Sequence, residues 1–176
     1  MEIQIEGKYG FAEKLPTWRI RWQWYAWFSN GKILTGYHLY LNLLLLLFFH
    51  TPFLFSGWTL AGELMVLSGF CLFIPCWDFL WFALNPAFGW KRYRKESIWW
   101  MRTWYGPFPA DYWNGLLSSG ALAALIPFAS SDGPAAVSVS GTLMGWGASV
   151  LVTMILPVAL LTIVAPYRPL VVYPKK

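Results

Sequence analysis

Charge is scarce in this chain: Asp, Glu, Lys and Arg make up 12% of the 176 residues, where a soluble domain carries about 25%. Such a surface is too small to wet an ordinary globular domain, and with 57% hydrophobic residues the composition points to a protein dissolved in lipid. Cysteine is limited to Cys71 and Cys76, five apart in one expected helix. That spacing separates their Cα atoms too far for an unstrained bridge, so a disulfide framework is excluded and both read as small apolar fillers. The sequence has no GxSxG, no Walker sequence, and neither HxxxH nor ExxH spacing, so no recognised hydrolase, nucleotide or zinc motif is offered. The first fifteen residues carry Glu2, Glu6 and Glu13 and no apolar run, so no cleavable signal peptide is expected.

Two long stretches, residues 33–90 and 103–167, hold no lysine or arginine. The thirteen basic residues fall in three groups: Lys8, Lys14, Arg19, Arg21 and Lys32; then Lys91, Arg92, Arg94, Lys95 and Arg102; then Arg168, Lys175 and Lys176. Each gap is long enough for a down-and-up pair of membrane spans, which puts every cation on one side. The expected fold is an all-α integral membrane bundle of four transmembrane helices, up-down-up-down, with interfacial amphipathic helices. The positive-inside rule then places both termini in the cytoplasm and the chain in a cell (inner) membrane. The net charge of +5 sits beside apolar spans and among tryptophans, which fits anionic lipid headgroups and not nucleic acid.

Residues 1–32 read as a cytoplasmic and interfacial segment, 33–165 as the transmembrane domain and 166–176 as a cytoplasmic tail. Met1 to Gly10 suits a short extended piece. Trp18 to Phe28 follows Pro16-Thr17 and ends in Ser29-Asn30-Gly31, which favours an interfacial helix with Arg19 and Arg21 reaching phosphates; the alternation of Trp18, Ile20 and Trp22 is the competing strand signal. The spans are expected at about 33–50, 58–84, 112–129 and 137–165, with Pro75 kinking the second and Asn85-Pro86 ending it. The 85–111 connection carries Lys91, Arg92, Arg94, Lys95 and Arg102 as candidate contacts for anionic lipid or phosphate, and Ser97 is expected to cap a helix over Ile98–Tyr105. Small residues recur in the last two spans, notably Gly115 and Ser119, and Gly141, Gly145 and Ser149 at four-residue spacing. Such rows let helices three and four pack as a tight hairpin, or serve a homo-oligomer.

Few strongly polar residues fall within the spans: His38, Asn42, His50, Glu63, Asp78 and, at a helix end, Asn85. A charge at membrane depth costs at least about 2.5–3.5 kcal/mol, so each needs a partner or a purpose. His50 and Glu63 lie at similar depth across a short turn and suit an outer pair. Cys71, Asp78 and Asn85 recur every seven residues, and with His38 and Asn42 they suggest an inner site. As metal ligands His38, His50, Glu63 and Asp78 are a thin set, and a single-His pigment or haem at His50 or His38 is a minor alternative; no cofactor is required. Asp111 and Glu96 are a further pair near the basic loop, read as an acid pair acting on a lipid headgroup or as plain surface ion pairing.

The run from Asp78 to Gly89 (DFLWFALNPAFG) followed by Ile98-Trp99-Trp100 resembles a signature of uncharacterised small prokaryotic multi-pass membrane proteins. That pattern has a second acid before the Asp and a His after the paired aromatics; here Trp77 and Met101 stand there, which removes two ligands a metal role would use. The resemblance spans roughly residues 63–113 and implies that Glu63, Asp78 and Asn85 form one site, with no activity attached. The function expected is a non-catalytic binding or accessory subunit meeting lipid, a hydrophobic ligand or other membrane subunits. The rival is a membrane-embedded enzyme or proton-coupled carrier using Glu63 and Asp78.

Overall fold

The computed structural model describes residues 2–7, 9–85, 88, 92–130 and 139–164. The chain is mostly helical, 66% of it, and the four strands among the described residues are two-residue clips between helices. In order the elements are α1 (Glu2–Glu6), β1 (Arg19–Ile20), α2 (Gln23–Phe28), β2 (Leu34–Thr35), α3 (Gly36–His50), α4 (Phe53–Ser56), α5 (Leu60–Leu84), β3 (Trp104–Tyr105), β4 (Phe108–Pro109), α6 (Ala110–Ala129) and α7 (Val139–Val164). By length and composition two stretches among the described residues could cross a membrane, Gly36–Ser56 and Leu60–Leu84.

Local chemistry sets the helix ends. Thr35 caps α3, its hydroxyl accepting from the His38 N–H at 3.2 Å, and Thr59 caps α5 by accepting from Gly62 N–H at 3.1 Å. Thr51-Pro52 interrupts the first apolar stretch for one turn before α4. Asn85 closes α5, its N–H reaching the Trp81 carbonyl at 3.0 Å.

Three local expectations are overturned. Within the piece expected to be extended, Glu2–Glu6 form a helical turn. The expected helix over Trp18–Phe28 shrinks to α2, and Arg19–Ile20 pair antiparallel with Leu34–Thr35. Arg19 supports this arrangement: its guanidinium donates to the carbonyls of Ala12 (2.6 Å), Thr17 (3.1 Å), Glu13 (3.3 Å) and Leu15 (3.4 Å), tying the strand to the preceding turns. The predicted helix over Ile98–Tyr105 is replaced by turns and the β3–β4 hairpin, whose tip is Gly106-Pro107 with Gly106 at φ 60°. A positive φ at the first tip residue is what a type II′ hairpin turn needs, so Gly106-Pro107 reverses the strand direction.

The small-residue rows also pack differently from the expectation. α5 and α6 form the most extensive helix pair. Gly115 lies so close to α5 that a Cβ there would sit 3.0 Å from the Cys71 carbonyl and 3.1 Å from the Pro75 ring. One turn on, the Ser68 and Ser119 hydroxyls donate to each other's carbonyls, both at 2.8 Å. α7 joins through Trp146, whose indole N–H donates to Ser119 Oγ at 2.8 Å and whose ring covers Gly120. Gly141, Gly145 and Ser149 instead lie on the exposed side of α7, since the bulky Trp146 and not the glycine row makes the contact. The aromatic core gathers at one end, where Phe79, Trp81 and Phe82 of α5 pack with Ile98, Trp100, Met101 and Tyr112.

Candidate functional site

α3 stands off from α5 and touches it far less than α6 does, leaving a cavity of about 380 Å³ between them. Its flanks are apolar, with Leu41 and Leu45 from α3 and Phe70, Phe73, Ile74 and Trp77 from α5. Its other end is polar, because the N-terminal segment, the α2–β2 turn and the start of α6 converge there.

Lys32 is the centre of that end. The turn that presents it is set by Asn30 (φ 60°) and Gly31 (φ 85°), where the Gly31 N–H returns to the Ala26 carbonyl at 2.6 Å. Gly31 is required twice, since a Cβ would sit 2.5 Å from the Arg102 side chain. Asn30 fastens the turn to the 103 strand entry: its amide donates to the Thr103 carbonyl and its oxygen accepts from the Thr103 N–H, both at 2.8 Å. Lys32 Nζ then lies 2.6 Å from Asp111 Oδ2 and 4.0 Å from Asp78 Oδ2, its side chain only 12% exposed. Burial alone would lower its pKa, yet the carboxylates of Asp78 and Asp111 outweigh that and hold it above the ordinary lysine value. Nearby Tyr25 is pushed up, chiefly by burial.

Asp78 accepts from the Tyr112 hydroxyl at 2.8 Å. His38 stacks on Phe11 at 4.6 Å between ring centroids, with Nδ1 2.7 Å from Thr35 Oγ1 and Nε2 3.5 Å from Glu6 Oε1. Glu6 also accepts from the Ala12 N–H at 2.5 Å, and Asn42 donates to the His38 carbonyl at 2.8 Å. Cys71, Asp78, His38 and Asn42 thus share one cavity. Asn85 does not line it; its amide donates to the Gly7 carbonyl at 2.9 Å and ties the end of α5 to the N-terminal segment.

The other pair sits far away. His50 Nδ1 donates to the Leu46 carbonyl at 2.7 Å, and Nε2 faces Glu63 Oε1 at 3.1 Å. The second Glu63 oxygen accepts from the Trp58 indole at 3.0 Å. Glu63 and Asp78 are fifteen helical steps apart, about 22 Å along the axis, so the single site of Glu63, Asp78 and Asn85 implied by the resemblance does not form. For the same reason His38, His50, Glu63 and Asp78 are not one metal set, and among the described residues no three His, Cys, Asp or Glu side chains converge on a metal position.

Asp111 binds Lys32 and Asn30, whereas Glu96 is exposed, so these two are not an acid pair. Arg92, Arg94, Lys95 and Arg102 are exposed, and Lys91 lies outside the described residues. Sequence reasoning missed Glu6, Asn30, Tyr112 and the role of Lys32. The available signals were faint: a lone lysine just before the first span and an Asp-Tyr pair opening the third.

Comparison of the chain with family models, with curated proteins and with solved structures finds no match.

Proposed function

We propose that this chain is a four-span inner-membrane protein that binds an amphipathic molecule in the cavity between α3 and α5, acting as a binding or accessory subunit. The cavity carries the reading: apolar flanks for a tail, and a polar end built from Lys32, Asp78, Asp111, Tyr112 and His38 for a head. Supporting it, none of the most apolar part of Gly36–Ser56 is buried inside the protein, and Leu43, Leu44, Leu47, Phe48, Leu54 and Phe55 are all exposed. So large an exposed apolar face favours lipid over water. In this reading α6 and α7 supply the third and fourth crossings, the basic groups mark the cytoplasmic side, and Arg92, Arg94 and Lys95 meet anionic headgroups.

Purification in a mild detergent, followed by native mass spectrometry and extraction of bound small molecules, tests the proposal. A retained amphiphile is expected, lost on Leu45→Trp, which narrows the cavity, with the helix content unchanged. A bare protein mass, together with no thermal protection by a total lipid extract, would remove the reading.

The rival carrier or enzyme reading draws support from Asp78, which faces the cavity, but not from Glu63, whose oxygens are both engaged by His50 and Trp58. Proton movement in proteoliposomes that is abolished by Asp78→Asn would favour it.

A further inference from the structure

We infer that the head of the cavity's guest is a flat ring bearing a carbonyl oxygen, a head of the quinone class, and that the Trp81 indole N–H is the donor for that oxygen; the inference rests on the cavity-binding reading above. Trp81 lines the cavity and is only 6% exposed, yet its indole N–H has no acceptor among the described residues. An indole N–H donates and cannot accept, and burying it without a partner is costly. A guest that brings an acceptor oxygen removes that cost. The indole does not titrate near neutral pH, so its need is the same whatever protons Glu6, Asp78 and Asp111 hold. Water is a poor substitute, because a buried water holds about three hydrogen bonds. The rings of Phe82, Phe88 and Trp100 pack against the indole, and Tyr93 Oη, the other buried side-chain atom without a partner among the described residues, belongs to a residue outside the cavity lining.

The walls set the shape of the head. His38, Phe11 and Trp100 all line the cavity with nearly parallel rings: Phe11 stacks on His38 at 4.6 Å and 22°, and lies 6.3 Å and 16° from Trp100. Trp81 stands almost perpendicular to Trp100, at 83° and 6.4 Å between centroids. Parallel aromatic plates favour a flat conjugated guest, which gains offset stacking that a flexible chain does not. The volume of about 380 Å³ takes a bicyclic head, with the apolar flanks left for a tail.

Three uncharged probes separate the ring from the oxygen: 2,3-dimethyl-1,4-naphthoquinone has both, 2,3-dimethylnaphthalene the ring alone and 6-undecanone the oxygen alone. The methyl groups of the quinone block thiol addition, so Cys71 in the cavity wall is not alkylated. Binding to the full-length protein in neutral maltoside micelles is measured by equilibrium dialysis against protein-free micelles, which removes differences in partitioning. The naphthoquinone is expected to bind about tenfold tighter than either of the others. Trp81→Phe should reduce its advantage over the naphthalene to about twofold or less, with the naphthalene still bound. A naphthalene or a ketone that binds as tightly as the quinone, or a quinone preference that survives Trp81→Phe, overturns the inference while leaving the cavity reading in place. Binding of none of the three overturns it too, and together with a bare protein mass in native spectrometry removes the cavity reading itself. Where Trp81→Phe fails to fold, the unaltered protein with nitrogen-15 in its indoles decides: one indole N–H resonance moves downfield with the quinone and not with the naphthalene, and no such shift overturns the inference.

Discussion

Lys32 is the residue on which the polar end depends, because it is the only described cation within reach of Asp78 and Asp111. Lys32→Met leaves the partly buried carboxylates of Asp111 and Asp78 without their cation and is expected to cost about 1–3 kcal/mol, read as a lowered thermal midpoint in detergent. The double variant Lys32→Met with Asp111→Asn should recover part of that loss; a single variant as stable as the parent would disprove the dependence. The pH response has a definite sign. The folded pKa of Lys32 lies above its unfolded value of 10.5, so its contribution is fully present below that pH and falls away as pH rises further. A thermal midpoint that is flat to about pH 10 and then declines in the parent, more steeply than in Lys32→Met, is the expected profile. None of this was legible in the sequence, where Lys32 was one positive-inside marker among thirteen. A charge gains its particular role only from the neighbours that folding supplies.

At the scale of elements, the two glycine rows make opposite predictions. Gly115 meets the backbone carbonyl of Cys71, which cannot swing away as a side-chain tip would, so Gly115→Ala should destabilise by about 1–3 kcal/mol. A Cβ at Gly145 meets nothing within 4 Å, so Gly145→Ala should be neutral or stabilising by up to about 1 kcal/mol through helix propensity. Thermal unfolding of both variants checks the pair, and equal effects would mean that α6 does not pack on α5 as described. The small-xxx-small pattern was visible in both helices, but spacing identifies a face and not what that face meets. Helix positions were legible because apolar length and proline punctuation are local; the 98–109 segment was not, since its turns exist only where Ile98, Trp100 and Met101 find the aromatic end of α5.

For the whole molecule, the proposed four crossings place residues 14 and 94 on one side of the membrane and residue 56 on the other. Single cysteines at these positions, in a chain with Cys71 and Cys76 replaced, should react with an impermeant thiol reagent from opposite faces. Labelling of all three from one side would refute the topology. The sequence by itself determined the helical, apolar character of the chain, the ends of its long helices and the segregation of its basic groups, because each follows from composition or from contacts a few residues apart. Tertiary structure alone decided that Glu6, Lys32, Asp78 and Asp111 share one cavity while Glu63 stands apart with His50. Lys32 and Asp111 are 79 positions apart in the chain, and only the return of α6 along α5, held by Gly115 and the paired serines, brings them to 2.6 Å.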